Sequence, residues 1–156
     1  MPEALDSDTL RPAARVTVVR KVRFAAAHFL RLPELSDEEN FRRFGPSSNA
    51  LAHGHNYEVE VSVSGPVDPQ TGMVINLKDL KAILQEEVVG PLDFKNLNLQ
   101  VAFFKDRLTT LENLSIYIWN RLQPRLASLS LELTGLKTLE SDDLYVEYYG
   151  GTDLKR

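Results

Sequence analysis

The stretch HGHNYEVEVSVSG, residues 53–65, decides how this chain is read. Tyr57, Val59, Val61 and Val63 alternate with Glu58, Glu60, Ser62 and Ser64, the period of two that a strand shows when one face is dry and the other wet. Helical geometry would scatter those valines around a cylinder, so a strand is expected. Its beginning carries His53 and His55, two apart and therefore on the same face. Upstream, RVTVVRKVRFAAAHF (15–29) is rich in Val and aromatics, alternates over much of its length and carries His28 near its end. Downstream, Pro66, Asp68, Pro69 and Gly72 break the second strand in a turn.

Between the two strands, LRLPELSDEENFRRFGPSSNALAH forms a long connection, with a short helix expected across SDEENFRRF where Ser36 and Glu39 can make a capping box. NLKDLKAILQEEVVG reads as a helix capped by Asn76, with Leu77, Leu80, Ile83, Leu84 and Val88 as its apolar stripe and Gly90-Pro91 as its stop. TLENLSIYIWNRLQPRL reads as a second, capped by Thr110, with Leu111, Leu114, Ile118 and Leu122 at helical spacing and Pro124 weakening its final turn. Two last strands, SLELTGLKTLES and LYVEYYG, flank the corner Ser141-Asp142-Asp143 and predict a hairpin. The order β-β-α-α-β-β implies an α+β fold, a four-stranded antiparallel sheet with both helices on one face.

At 156 residues, 43% hydrophobic and 26% charged, the chain supports one core, so residues 15–156 are expected to form a single domain behind a flexible arm at 1–14. A net charge of -4 argues against a broad nucleic-acid surface. There is no cysteine, which removes disulfides, thiolate metal sites and thiol nucleophiles. No stretch approaches the ~18 apolar residues of a membrane span, and the opening residues lack a signal segment's apolar core, so a soluble, cytoplasmic protein is expected. No glycine-rich phosphate loop occurs. Arg20, Lys21, Arg23, Arg42 and Arg43 are the cations available to a phosphate.

The whole histidine complement, His28, His53 and His55, falls where the two strands end and begin. Two imidazoles from one strand and one from its antiparallel partner make the face of a tetrahedron, and zinc suits such a set because its fourth position stays open to substrate or water. Surface or hydrogen-bonded histidines are the plain alternative.

Over nearly all of Val18 to Gly150 the chain resembles the 6-pyruvoyl-tetrahydropterin synthase and 6-carboxy-tetrahydropterin synthase family, through FAAAHFL, EENFRRFG, HGHNYEVEVSVSG, DPQTGMVINLKDLK, PLDFKNLN, TLENLSIYIW and LESDDLYVEYYG. The resemblance implies the tunnelling fold, in which subunits close a barrel as a homotrimer or homohexamer with the pocket between them. It implies zinc on His28, His53 and His55, and Glu140 anchoring a reduced pterin by a bidentate contact to its amino-pyrimidine edge. Thr110 and Glu112 match pocket positions. Ser47 in FGPSSNALAHGHN stands at the family's catalytic cysteine and Phe94 in LDFKNL at a catalytic histidine, implying a divergent member in which Asp93, Ser47 or Glu112 would move protons. The activity so implied is a zinc-dependent lyase acting on dihydroneopterin triphosphate or a related reduced pterin, in a biopterin, folate-like or deazapurine (queuosine) pathway. The alternatives are a catalytically silent pterin-like-ligand binding protein and a structural zinc-stapled oligomer.

Overall fold

The computed structural model of the chain describes residues 14–151, so the arm expected at 1–14 lies, apart from Ala14, outside the described residues. In chain order the elements are β1 (Arg15–His28), α1 (Asp37–Phe44), β2 (His53–Pro66), α2 (Leu77–Leu84), a single turn α3 (Gly90–Leu92), β3 (Lys95–Asn96), α4 (Leu97–Gln100), α5 (Leu111–Ala127), β4 (Glu132–Ser141) and β5 (Leu144–Tyr148). The sheet order is β3-β1-β2-β4-β5. All neighbours are antiparallel except β1 and β3. The expected four strands are therefore present, and a fifth joins them: two residues paired in parallel with the end of β1, too short to leave a periodic pattern.

Alternation sets the two faces. Val22, Phe24 and Ala26 of β1 and Tyr57, Val59, Val61 and Val63 of β2 are buried beneath the helices. Leu80, Ile83 and Leu84 of α2 and Leu111, Leu114, Ile118, Leu122 and Leu126 of α5 complete that core. The opposite face is charged, with Lys21 bridging Glu58 and Glu60 and Arg23 meeting Glu58. With Arg42 paired to Glu38 as well, three of the cations considered for phosphate are already paired.

The helix starts follow local chemistry. Ser36 and Glu39 close the capping box of α1, Asn76 Oδ1 accepts the Lys78 N–H at 2.9 Å, and Thr110 Oγ1 accepts the Asn113 N–H at 3.3 Å. α5 continues through Pro124 to Ala127 rather than fraying there. Between α2 and α3 the chain widens into a π turn over Gln85–Val89, and Arg121 of α5 donates to the Glu87 carbonyl at 2.8 Å while pairing with its carboxylate.

Candidate metal centre

The β1–β2 register places His28 directly opposite His53, and Ala26 opposite His55. Since Val22, Phe24, Ala26 and His28 share a face, as do His53, His55 and Tyr57, all three imidazoles lie on the helix-covered side at one end of the sheet. Their ring centroids are 4.6, 4.8 and 5.1 Å apart, and one ligand atom from each falls within 4.8 Å of the others. Among the described residues, the buried side-chain nitrogens and oxygens without a hydrogen-bond partner are His28 Nε2, His53 Nδ1 and His55 Nε2, one per ring. Orphaned lone pairs inside a protein are costly, and three converging ones fit a cation that takes nitrogen donors.

Each ring has a distinct setting. The His28 Nδ1–H donates to the Thr109 carbonyl at 2.8 Å, which fixes the tautomer that turns a bare Nε2 to the cluster. Burial pushes the His28 pKa below the ordinary imidazole value, so the ring is neutral and ready to ligate. Burial lowers His55 as well, opposed by the Glu140 carboxylate. Glu140 Oε1 lies 3.1 Å from His55 Nε2, without the alignment of a hydrogen bond. Glu140 sits where the β4–β5 register slips between Leu139 and Ser141, an irregularity that frees it from the ladder beside the histidines. Tyr57 lies edge-on to His28 and His55 beneath the cluster, and burial raises its phenol pKa.

The other residues singled out from sequence do not converge on the rings in the same way. Asp93 Oδ1 accepts the Ala25 N–H at 2.8 Å, holding the edge of β1. The Ser47 carbonyl accepts from Leu30 N–H at 2.8 Å, which ties that loop to the chain just past His28. Thr110 caps α5, and Glu112 is exposed in its first turn. Asn98 and Thr109, which brace the end of β1, were not legible as site residues: one reads as a loop asparagine, the other as a threonine beside a cap.

The sequence profile of the 6-pyruvoyl tetrahydropterin synthase family matches residues 17–151. The chain belongs to the 6-pyruvoyl tetrahydropterin synthase family. It is 45% identical over 133 residues to the human 6-pyruvoyl tetrahydrobiopterin synthase, covering 85% of this chain and 90% of that protein. The Drosophila melanogaster protein of the same name is 40% identical over 140 residues, covering 90% and 82%. The solved structure of Caenorhabditis elegans 6-pyruvoyl tetrahydropterin synthase superposes with a TM-score of 0.81 at 37% identity, covering 89% of this chain and 98% of that one.

The expectation of a divergent member short of both a cysteine and a histidine is corrected on the histidine. His28, His53 and His55 are all retained and converge, and none of them is replaced by phenylalanine. Phe94 is 86% exposed and lines a cleft together with Ala25, Ala27, Gly54 and His55. The absence of cysteine stands. No helix of the described residues is long and apolar enough to cross a membrane.

Proposed function

We propose that this family member is a zinc-dependent lyase acting on dihydroneopterin triphosphate or a closely related reduced pterin. The observation that carries the reading is the convergence of three unpartnered imidazole nitrogens beside the Glu140 carboxylate, at the end of the sheet. The 6-pyruvoyl tetrahydrobiopterin synthases 40–45% identical to it support this reading. His28, His53 and His55 would hold zinc, which supplies Lewis-acid polarisation of a substrate oxygen.

The chain's own residues divide the remaining work. Glu140 accepts N–H groups from the amino-pyrimidine edge, a charge-assisted contact that orients the ring. Thr110 and Glu112, at the start of α5, would contact the same ligand. Proton movement falls to Asp93, Ser47 and Glu112, the serine hydroxyl needing a base beside it. The sheet leaves two edges without strand neighbours among the described residues, β1 from Arg15 to Ala25 and the outer side of β5. Val16 and Val19 near one edge and Leu144 and Tyr145 near the other are exposed. Edge-to-edge closure of copies into a barrel, as a homotrimer or homohexamer, covers both.

Anaerobic incubation of metal-quantified protein with dihydroneopterin triphosphate, followed by mass-resolved chromatography, tests the reading. Zinc-dependent loss of triphosphate or side chain is expected, and is abolished in His53→Ala. A second reading, a protein that binds a pterin without turning it over, is favoured by the lack of any cysteine. Stoichiometric zinc with unchanged, bound substrate would select it.

A further inference from the structure

We propose that Asn98, acting with Thr109, is a positioning residue for His28 and sets the metal affinity of the histidine cluster; this rests on reading that cluster as a metal site. The argument begins at the edge of β1. The short strand β3 pairs only Ala26 with Lys95 and Ala27 with Asn96, and the chain then turns into α4. Among the described residues, no strand continues the ladder on that side past Ala27.

The Asn98 side chain takes over that role. Its Oδ1 accepts the Phe29 N–H at 2.9 Å, and its Nδ2 donates to the Phe29 carbonyl at 3.0 Å. A primary amide carries the same donor and acceptor as a peptide, so one side chain extends the parallel ladder by a residue. Asn98 is itself set by its own N–H, which donates to Asn96 Oδ1 at 3.1 Å.

Thr109 closes the brace. Its hydroxyl donates to the same Phe29 carbonyl at 3.0 Å, and its own carbonyl accepts from His28 Nδ1 at 2.8 Å. His28 is therefore fixed by its pairing with β2, by the clamp on the next peptide, and by the bond to its ring. Among the described residues His28 is the histidine whose ring is tied to a backbone carbonyl. Its Nε2 is aimed before a metal arrives, and the other two rings meet a ligand already in place. Loosening the Phe29 peptide lets the His28 ring drift from the Thr109 carbonyl, although Asn98 touches no imidazole.

The test is a zinc and cobalt(II) titration of metal-stripped, full-length protein, with the cobalt absorption bands reporting ligand geometry and thermal unfolding run in parallel. Asn98→Ala is expected to weaken metal binding by about tenfold or more, the range for removal of a hydrogen bond behind a ligand, and to alter the cobalt spectrum. Asn98→Asp, which keeps the acceptor and loses the donor, falls between, and Thr109→Val, which keeps the carbonyl and loses the hydroxyl tie, shifts affinity the same way by less. These two carry the test if Asn98→Ala does not fold. Leu126→Ala, in the buried part of α5 near its C-terminal end, lowers the melting temperature and leaves affinity and spectrum unchanged. If the unaltered protein binds neither metal, the metal reading falls and this inference with it. If it binds and the Asn98 variants match it, or Leu126→Ala weakens binding as much as they do, the positioning role is overturned while the metal site stands.

Discussion

His28 and His53 face each other across one rung of the β1–β2 ladder, so removing either ring takes a donor from the cluster without moving the strands. His53→Ala is expected to weaken zinc by more than about 100-fold, beyond the cost of losing an outer hydrogen bond, as measured by competition with a chelating dye. Glu140→Gln keeps the size of the side chain and removes its charge. Its zinc content should match the unaltered protein while reduced-pterin affinity falls by about 1.5–3 kcal/mol, the worth of a hydrogen bond to a charged group. Calorimetric titration with the pterin reads that loss, and an unchanged affinity would remove Glu140 from the ligand contact. The histidines were legible because strand alternation fixes which way His53 and His55 point. Glu140 lay beyond periodicity, since its approach to His55 depends on a register slip in a hairpin far along the chain.

At the scale of elements, the helix caps were readable because capping is chemistry between residues two or three apart. Ser36, Asn76 and Thr110 each accept the N–H their spacing predicts. Ser36→Ala removes the hydroxyl that accepts the Glu39 N–H while leaving the Ser36 N–H to the Glu39 carboxylate, and should cost about 1 kcal/mol in urea unfolding. A larger effect is expected just past β5. Gly150 has φ of 75°, and a Cβ there would stand 2.5 Å from Trp119 Cζ2 of α5. Gly150→Ala combines left-handed backbone strain with a clash against an indole, and should destabilise by roughly 1–3 kcal/mol. The π turn after α2 carried no such local mark; Arg121 of α5, 34 positions along the chain, donates to the Glu87 carbonyl that the widened turn presents.

For the whole molecule, the buried histidines make stability depend on pH. Burial holds His28, and to a degree opposed by Glu140 also His55, below the ordinary imidazole pKa. As pH drops below ~6.5 the unfolded chain takes up these protons before the folded one does. Their contribution is therefore complete above that value and is lost as pH falls toward the lowered folded pKa. The urea midpoint of metal-stripped protein should be lower at about pH 5.5 than at about pH 7.5, and the difference should shrink in His28→Ala. The carboxylates of Glu58 and Glu39, held low by Lys21 and by Ser36 respectively, act only in a more acidic window.

The sequence by itself determined the period-two strands, the capped helices and the placement of every imidazole at strand ends, because each depends on spacing within one segment. It also carried the motifs that place the chain in its family. Only the tertiary structure decided that Asn98 finishes a ladder 69 positions away at Phe29 and that Thr109 orients His28 across 81. It also decided that one carboxylate oxygen of Asp93 accepts the Ala25 N–H at the edge of β1. Contacts of that kind arise from folding elements together, and a single asparagine or threonine has no periodicity to announce them. The burial that lowers the His28 and His55 pKa values has the same origin, since it requires helices and sheet to close over rings that the chain holds far apart in sequence.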